Sequence, residues 1–237
     1  MHDKVAIVTG ATGALGRVVA KILLENGAKV VTVYRTEDRF GELQSFVGGL
    51  RDNLTGFEGN VTEESSVKEI FQKTAELHGR IDILLNLVGG YSGGSTVVET
   101  DEELWDRMMN LNLKSAFLCS KAALHYMIEQ GYGRIVNVSA RTAVRRKSRA
   151  KNGAYAIAKL GVLALTETIA EEVRRRDINV NCILPSTIDT PANRRDFPKA
   201  DFSRWVDPRD IAKVILFLAS DASKPTSGAA IPVYGKA

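Results

Sequence analysis

The chain has 237 residues, of which 44% are hydrophobic and 25% are charged, a balance that excludes a disordered or collagen-like protein. The formal net charge of +4 permits an anionic ligand but does not by itself indicate a nucleic-acid-binding protein. Two distant cysteines, Cys119 and Cys182, lack the spacing of a disulfide framework or a zinc site. No apolar run reaches membrane-spanning length, and the N-terminus has no room for a signal peptide. We therefore expect a cytoplasmic protein that binds no metal, membrane or nucleic acid.

Short apolar runs alternate along the chain with longer segments of helical periodicity. The nearly continuous apolar runs are typical of strands covered on both faces, and we predict them at residues 5–9, 29–34, 54–58, 81–86, 134–139, 179–184 and 229–233. We predict helices at residues 14–26, 64–78, 104–130, 154–176 and 208–219, with Asn152 as a helix cap. This alternation predicts an α/β protein with a three-layer, doubly wound parallel sheet (a Rossmann fold) in a single domain over residues 1–237. Ligands of such folds bind at the carboxyl ends of the strands.

The first predicted strand ends in a glycine-rich loop, Thr9-Gly10-Ala11-Thr12-Gly13-Ala14-Leu15-Gly16, and a helix follows at once. Glycines allow a tight turn and a close approach to a pyrophosphate, while the helix N-terminus offers free N–H groups to the anion. The position of the loop between strand and helix therefore predicts dinucleotide binding, with contacts from Gly10, Thr12, Gly13, Leu15 and Gly16.

The second predicted strand ends at Tyr34, and Arg35 follows. NAD-binding members of this fold place an acidic residue here, which contacts the adenosine ribose and would repel a 2′-phosphate. In this chain the carboxylate is missing, and the Arg35 guanidinium could bind a phosphate instead. We therefore expect NADP(H) to be favoured over NAD(H), with Tyr34 and Arg35 beside the adenosine.

The pair Tyr155 and Lys159 stands four residues apart on a predicted helix, and therefore on one helix face. Together with the glycine loop, this pair resembles the short-chain dehydrogenase/reductase family, and the resemblance covers essentially the whole chain. The strand end at residues 86–89, Asn112 within a helix and the segment 184–191 resemble the corresponding family segments, and residues 60–61 stand where the family contacts adenine. The resemblance implies cofactor contacts from Asn60, Val61, Asn86, Val88, Gly89, Tyr155, Lys159, Pro185, Ile188 and Thr190.

The chemistry implied by the resemblance is hydride transfer between a nicotinamide and a carbonyl, an alcohol or a conjugated C=N group. Tyr155 would be the acid/base, and Lys159 would lower the pKa of that phenol and hold the nicotinamide ribose. Asn112 would support a water relay to Lys159. The resemblance also implies a homo-oligomer, a tetramer or a dimer, with the long helices over residues 104–130 and 154–176 at the interface.

The chain departs from the family's pattern after the fifth predicted strand. The family's catalytic serine aligns with Ala140, whereas Ser139 stands one residue early, and adjacent side chains at a strand end point to opposite faces. Dihydropteridine reductases manage without this serine, and the segments 88–94, which contains Tyr91, and 184–205 resemble theirs. Two alternatives therefore stay open: a pterin reductase of that kind, and a nucleotide-binding regulatory or scaffold protein with little turnover.

Six cationic side chains precede Tyr155 with no acid among them: Arg141, Arg145, Arg146, Lys147, Arg149 and Lys151. This basic loop could attract an anionic or carrier-linked substrate, could pair with acidic residues across a subunit interface, or could be a solvated loop. It contains no interleaved aromatic residues of the kind that stack on nucleic-acid bases.

Overall fold

A computed structural model describes residues 1–236, and its centre is a seven-stranded sheet in which every neighbouring pair of strands is parallel. The strands are β1 Val5–Thr9, β2 Lys29–Tyr34, β3 Leu54–Glu58, β4 Ile83–Asn86, β5 Tyr132–Val138, β6 Asp177–Pro185 and β7 Ala230–Val233. Their order is β3-β2-β1-β4-β5-β6-β7. The order reverses between β1 and β4, which creates the crevice where doubly wound folds bind their ligands. The predicted fold class is confirmed.

Helices cover both faces of the sheet. They are α1 Ala14–Glu25, α2 Glu37–Val47, α3 Glu64–His78, α4 Glu102–Met109, α5 Ser115–Gln130, α6 Arg141–Val144, α7 Gly153–Glu172, α8 Pro191–Asp196 and α9 Pro208–Ala219. Within β1, Ala6 and Val8 pack in the layer that contains α1, α2 and α9, whereas Ile7 packs in the layer that contains α3, α5 and α7. Strands buried on both faces read as nearly unbroken apolar runs, which is why the sequence located β1 and β2 correctly. The edge strand β3 is mostly half-buried, and its bounds also agree with the prediction.

The predicted helix over residues 104–130 is interrupted in the structure. A single π-helical turn, Asn110–Lys114, separates α4 from α5. The turn carries the buried Asn112, whose side chain bonds to the loop that follows β4. π turns inside α-helices are frequent at functional sites, where they redirect a side chain.

The helix α7 carries Tyr155 and Lys159 and ends four residues before the predicted boundary. Among the described residues it is the one helix that is long and apolar enough, by length and composition alone, to cross a membrane. Half of its most apolar window is buried inside the protein, as in the core helix of a globular fold. This finding qualifies the expectation that no apolar run reaches membrane-spanning length.

Candidate active site

The glycine loop follows β1 and lies against the chain that leaves β4. Gly10 has a φ of +74°, and a Cβ at this position would lie 3.0 Å from the backbone nitrogen of Val88. A side chain at Gly16 would overlap the Gly10 carbonyl oxygen, so glycine here lets α1 pack closely on the loop. Gly13 precedes α1, and within residues 1–236 no side chain caps that helix end. Its first N–H groups can therefore meet an anion, as a pyrophosphate requires.

Tyr34, at the end of β2, uses its hydroxyl within the protein. The buried ring stacks on Phe40, with centroids 4.9 Å apart, and the hydroxyl donates a hydrogen bond to the Glu37 carboxylate. The pKa of Tyr34 is raised to about 12, mainly by this hydrogen bond and secondly by burial. Sequence analysis missed Glu37, which places a carboxylate two residues after Arg35, near the position where it had found no acidic residue.

Arg35 is exposed and reaches across to the turn after β3. Its guanidinium donates to the Asn60 Oδ1 at 2.9 Å, while the Asn60 Nδ2 donates to Glu63 at 2.6 Å. The next residue, Val61, is buried in the layer beside α3. The structure thus brings together Arg35, Asn60 and Val61, three residues that sequence analysis assigned to the adenosine end.

Asn86, at the end of β4, turns its side chain into the core rather than toward the crevice. Its Nδ2 donates to the Asn137 Oδ1 at 2.8 Å and to the Ser120 hydroxyl at 3.1 Å. The chain that follows is held by the Thr9 hydroxyl, which accepts from the backbone nitrogens of Leu87 and Val88. The side chain of Asn86 therefore fixes the strand ends, and only the backbone beyond it faces the glycine loop.

Asn112 holds the loop after β4 through both ends of its amide. The Oδ1 accepts from the Gly90 nitrogen at 3.1 Å, and the Nδ2 donates to the carbonyls of Gly90 and Met108 at 3.1 and 3.0 Å. A Cβ at Gly89 would lie 2.8 Å from this Oδ1 and 3.1 Å from the Nζ of Lys159. Asn112 and Lys159 thus meet at Gly89. The amide bonds directly to backbone, so its visible role is to fix the loop, whereas sequence analysis expected it to support a water relay.

Lys159 is buried, and its Nζ donates to the Val138 carbonyl at 2.8 Å. Burial lowers the pKa of this ammonium to about 8. Burial also raises the pKa of Tyr155 to about 12, and the nearby Tyr91 adds to the increase. Sequence analysis expected Lys159 to lower the pKa of Tyr155. In the structure burial and Tyr91 together account for the pKa of Tyr155, and the Lys159 ammonium is directed to a carbonyl at the end of β5.

The two residues after β5, Ser139 and Ala140, both line the cleft but bring different groups to it. The buried Ser139 donates its hydroxyl to the backbone carbonyl of Lys159 at 2.7 Å. Ala140 lines the same cleft as Tyr155 and brings only a methyl group to it. No hydroxyl therefore stands at position 140, and the hydroxyl of Ser139 is occupied on α7.

A cleft of about 460 Å³ opens beside Tyr155 and Lys159 at the carboxyl ends of the strands. Of the remaining predicted residues, Leu15, Pro185 and Ile188 also line it. Thr190 instead caps α8, since its hydroxyl accepts from the Asn193 nitrogen at 3.1 Å. Thr12 lies in the glycine loop, where its carbonyl accepts from Arg17. Residues that sequence analysis did not assign to the site also line the cleft: Asn152, Thr142, Ser148, Asn193 and Phe197.

The basic loop reaches the edge of this cleft. Arg141 and Arg145 each lie 5.8 Å from the centroid of the Tyr234 ring, and Arg149 folds back onto the Ala143 carbonyl. Within the described chain, none of the six cations forms an ion pair with an acid. Their charges are therefore not neutralised by the protein's own carboxylates.

Comparison with known proteins agrees with this architecture. The short chain dehydrogenase family model matches residues 4–201. A 3-oxoacyl-[acyl-carrier-protein] reductase of Thermotoga maritima is 33% identical over 99% of this chain and 98% of the relative. A crystal structure from Burkholderia xenovorans, described as that of a provisionally assigned short-chain dehydrogenase/reductase, superposes with a TM-score of 0.91 at 32% identity. The superposition covers 99% of this chain and 96% of the other. The structure of an actinorhodin polyketide ketoreductase variant with NADPH superposes with a TM-score of 0.89 at 26% identity, covering 99% of this chain and 98% of the other. The chain belongs to the short-chain dehydrogenase/reductase family of NAD(P)-binding oxidoreductases.

Proposed function

We propose that the protein is an NADPH-dependent ketoreductase that reduces a 3-oxoacyl group or a related ketone to the alcohol. The main supporting observation is that Lys159 and Asn112 approach each other at Gly89. Gly89 lines the same cleft as Tyr155, and this cleft adjoins the glycine loop. The relatives named above favour this activity over the two alternatives, a pterin reductase and a scaffold without turnover.

Tyr155 and Lys159 have separate roles in the proposed reduction. When bound, a nicotinamide nucleotide would supply the hydride for the carbonyl carbon. Tyr155 then gives its phenolic proton to the carbonyl oxygen, so that one C–H and one O–H bond form as the C=O double bond is reduced. The pKa of about 12 keeps this phenol protonated at neutral pH, as a proton donor must be. Lys159 would hold the ribose of the nucleotide and, while charged, would favour the phenolate that remains.

The substitution Tyr155→Phe tests this role because it removes the proton and keeps the ring. We expect kcat for NADPH-dependent reduction of acetoacetyl-coenzyme A to fall by about 10²-fold or more, with the NADPH dissociation constant little changed. Tyr126→Phe, on α5 away from the cleft, is the matched control and should retain the wild-type rate. Full activity in Tyr155→Phe would remove this residue from the chemistry.

The preference for NADP(H) rests on Arg35, which is exposed and held beside the turn after β3. A guanidinium can bind a 2′-phosphate through two hydrogen bonds, whereas the Glu37 carboxylate next to it is already bonded to Tyr34. In Arg35→Ala we expect the ratio of kcat/KM for NADPH to that for NADH to fall about tenfold. The exposed Arg51, changed to alanine, serves as the control. An unchanged ratio in Arg35→Ala would contradict the assignment.

An anionic substrate or carrier would meet the basic loop at the edge of the cleft. Two observations support an anionic substrate. The six cations have no acidic partners in the described chain, and the relatives' names refer to a substrate linked to acyl-carrier protein. Changing Arg145, Arg146 and Lys147 together to glutamine should raise KM for acetoacetyl-coenzyme A but not for the neutral ester ethyl 3-oxobutanoate. An equal change in KM for both substrates would indicate that the loop is a solvated segment without a role in substrate binding.

We also propose that the chain forms a homo-oligomer in the cytoplasm. The long helices α5 and α7 expose Phe117, Ile128, Ile157 and Leu160, which a second copy could cover. The two buried free cysteines suit a reducing compartment. Sedimentation analysis tests the assembly, and a particle with the mass of one chain would contradict it.

A further inference from the structure

Tyr91 stands in the cleft as a second phenol beside Tyr155. The loop after β4 carries it, and the two rings meet edge to face with centroids 5.1 Å apart and planes at 86°. More than half of the Tyr91 side chain, 56%, is exposed. A group that occupies the cleft and reacts at Tyr155 would therefore lie next to Tyr91.

The hydroxyl of Tyr91 is held by Asn152, the residue just before α7. It donates to the Asn152 Oδ1 at 2.8 Å. The orientation of this amide is fixed, because its Nδ2 donates to the carbonyls of Ser148 and Ala150 at 3.0 and 3.3 Å. Only the oxygen of Asn152 is thus left to face Tyr91, and that oxygen can only accept.

The backbone around this hydrogen bond is packed against it. A side chain at Gly93 would collide with both the Asn152 amide and the Tyr91 hydroxyl. The neighbouring Gly94 nitrogen donates to the Lys151 carbonyl at 2.6 Å, and Ser95 pairs with Asn152 in an isolated parallel bridge. The two loops are therefore also joined next to the Tyr91–Asn152 bond, which keeps the phenol in place.

A phenol has one proton, and Tyr91 gives it to Asn152. What remains at its oxygen is lone pairs, so toward the cleft this hydroxyl acts as a hydrogen-bond acceptor. We propose that Tyr91 is a specificity-determining residue that selects substrates carrying a hydrogen-bond donor, a hydroxyl or an N–H group, next to the reacting carbonyl. This inference rests on the proposed ketoreductase function, and it narrows the substrate class of that same cleft.

Two matched ketones differ in this property and in one methyl group. Ethyl 4-hydroxy-3-oxobutanoate has a hydroxyl that can donate beside the reacting carbonyl, whereas the oxygen of its 4-methoxy ether can only accept. For the wild-type protein with NADPH we expect kcat/KM to favour the hydroxy ketone by about tenfold, the size of one hydrogen bond that is made or lost. In Tyr91→Phe the ratio of the two kcat/KM values should fall to about one.

Asn152→Ala provides a second, independent variant, because it frees the phenolic proton of Tyr91 to donate. The kcat/KM for the methoxy ether should then rise relative to that for the hydroxy ketone, although Tyr91 is still present. Tyr126→Phe, on α5, is the control that keeps the wild-type ratio. Thermal unfolding of each variant verifies that the fold is retained.

The outcomes separate this inference from the function beneath it. A Tyr155-dependent reduction with equal ratios in the wild type and in Tyr91→Phe overturns the assignment of Tyr91 and leaves the ketoreductase proposal standing. If the wild-type protein reduces neither ketone nor acetoacetyl-coenzyme A, both proposals fall together.

Discussion

Replacing Gly89 with alanine inserts a methyl group between two fixed side chains of the site. The new Cβ would lie 2.8 Å from the Asn112 Oδ1 and 3.1 Å from the Lys159 Nζ, closer than ordinary contact by up to roughly half an ångström. Neither neighbour can yield freely. The Asn112 amide is bonded to the backbone of Gly90 and Met108, and the Lys159 ammonium is bonded to the Val138 carbonyl.

Overpacking of this kind costs about 1–3 kcal/mol. For a chain of this length, each kcal/mol lowers the melting temperature by about 2–4 °C, so Gly89→Ala should melt about 2–12 °C below the wild type. The displacement also moves Lys159 relative to Tyr155, and errors of less than 1 Å in an active site are enough to cost about tenfold in kcat/KM. Differential scanning fluorimetry and the NADPH-dependent reduction of acetoacetyl-coenzyme A measure the two effects.

Gly41→Ala is the matched control, with the opposite sign for stability. Gly41 lies inside α2, and a Cβ there meets no atom within 4 Å. Alanine is more favourable than glycine in a helix by about 0.5–1 kcal/mol, so this variant should melt slightly higher and keep its kcat/KM. If Gly89→Ala matched the wild type in both measurements, the close approach of Asn112 and Lys159 at this glycine would be wrong.

Two further predictions concern Lys159 and its surroundings. Because burial lowers the pKa of Lys159 from 10.5 to about 8, the unfolded chain binds more protons between these values, and the contribution of Lys159 to the unfolding free energy rises with pH in this window. The unfolding free energy of the wild type relative to Lys159→Met, from urea titrations, should therefore increase by on the order of 3 kcal/mol between pH 8 and 10.5, whereas a constant difference would contradict the shift. Ser139→Ala removes a buried hydrogen bond to α7 and should lower the melting temperature by a few degrees, with kcat reduced by no more than about threefold. A loss of about 10²-fold would show that the Ser139 hydroxyl takes part in the chemistry.

The sequence predicted the sheet and the glycine loop because each rests on local signals. Strands buried on both faces are nearly unbroken apolar runs, and β1 and β2 begin and end where those runs do. The π turn at Asn110–Lys114 has no such signal, since the helical periodicity continues through it without glycine or proline. The turn is stabilised from outside, by the bonds between Asn112 and Gly90, which are 22 residues apart.

The contacts that sequence analysis missed join residues whose types gave no hint of a partner. Tyr34 and Glu37 are three residues apart, but only the turn between β2 and α2 brings the hydroxyl to the carboxylate. Tyr91 and Asn152 are 61 residues apart, and Asn152 was expected to cap a helix. It caps nothing with its side chain, because its amide is used for Tyr91 and for the carbonyls before α7.

The position of Ser139 shows how the end of β5 serves the helix beside it. Two consecutive residues hold Lys159 from both sides: the Val138 carbonyl accepts from its ammonium, and the Ser139 hydroxyl donates to its backbone carbonyl. Ser139 and Ala140 both line the cleft, but the Ser139 hydroxyl is bonded to α7, and Ala140 brings only a methyl group. The Ser139 hydroxyl therefore fixes α7 at Lys159, and position 140 brings no hydroxyl to the cleft, where Tyr91 places a phenol beside Tyr155.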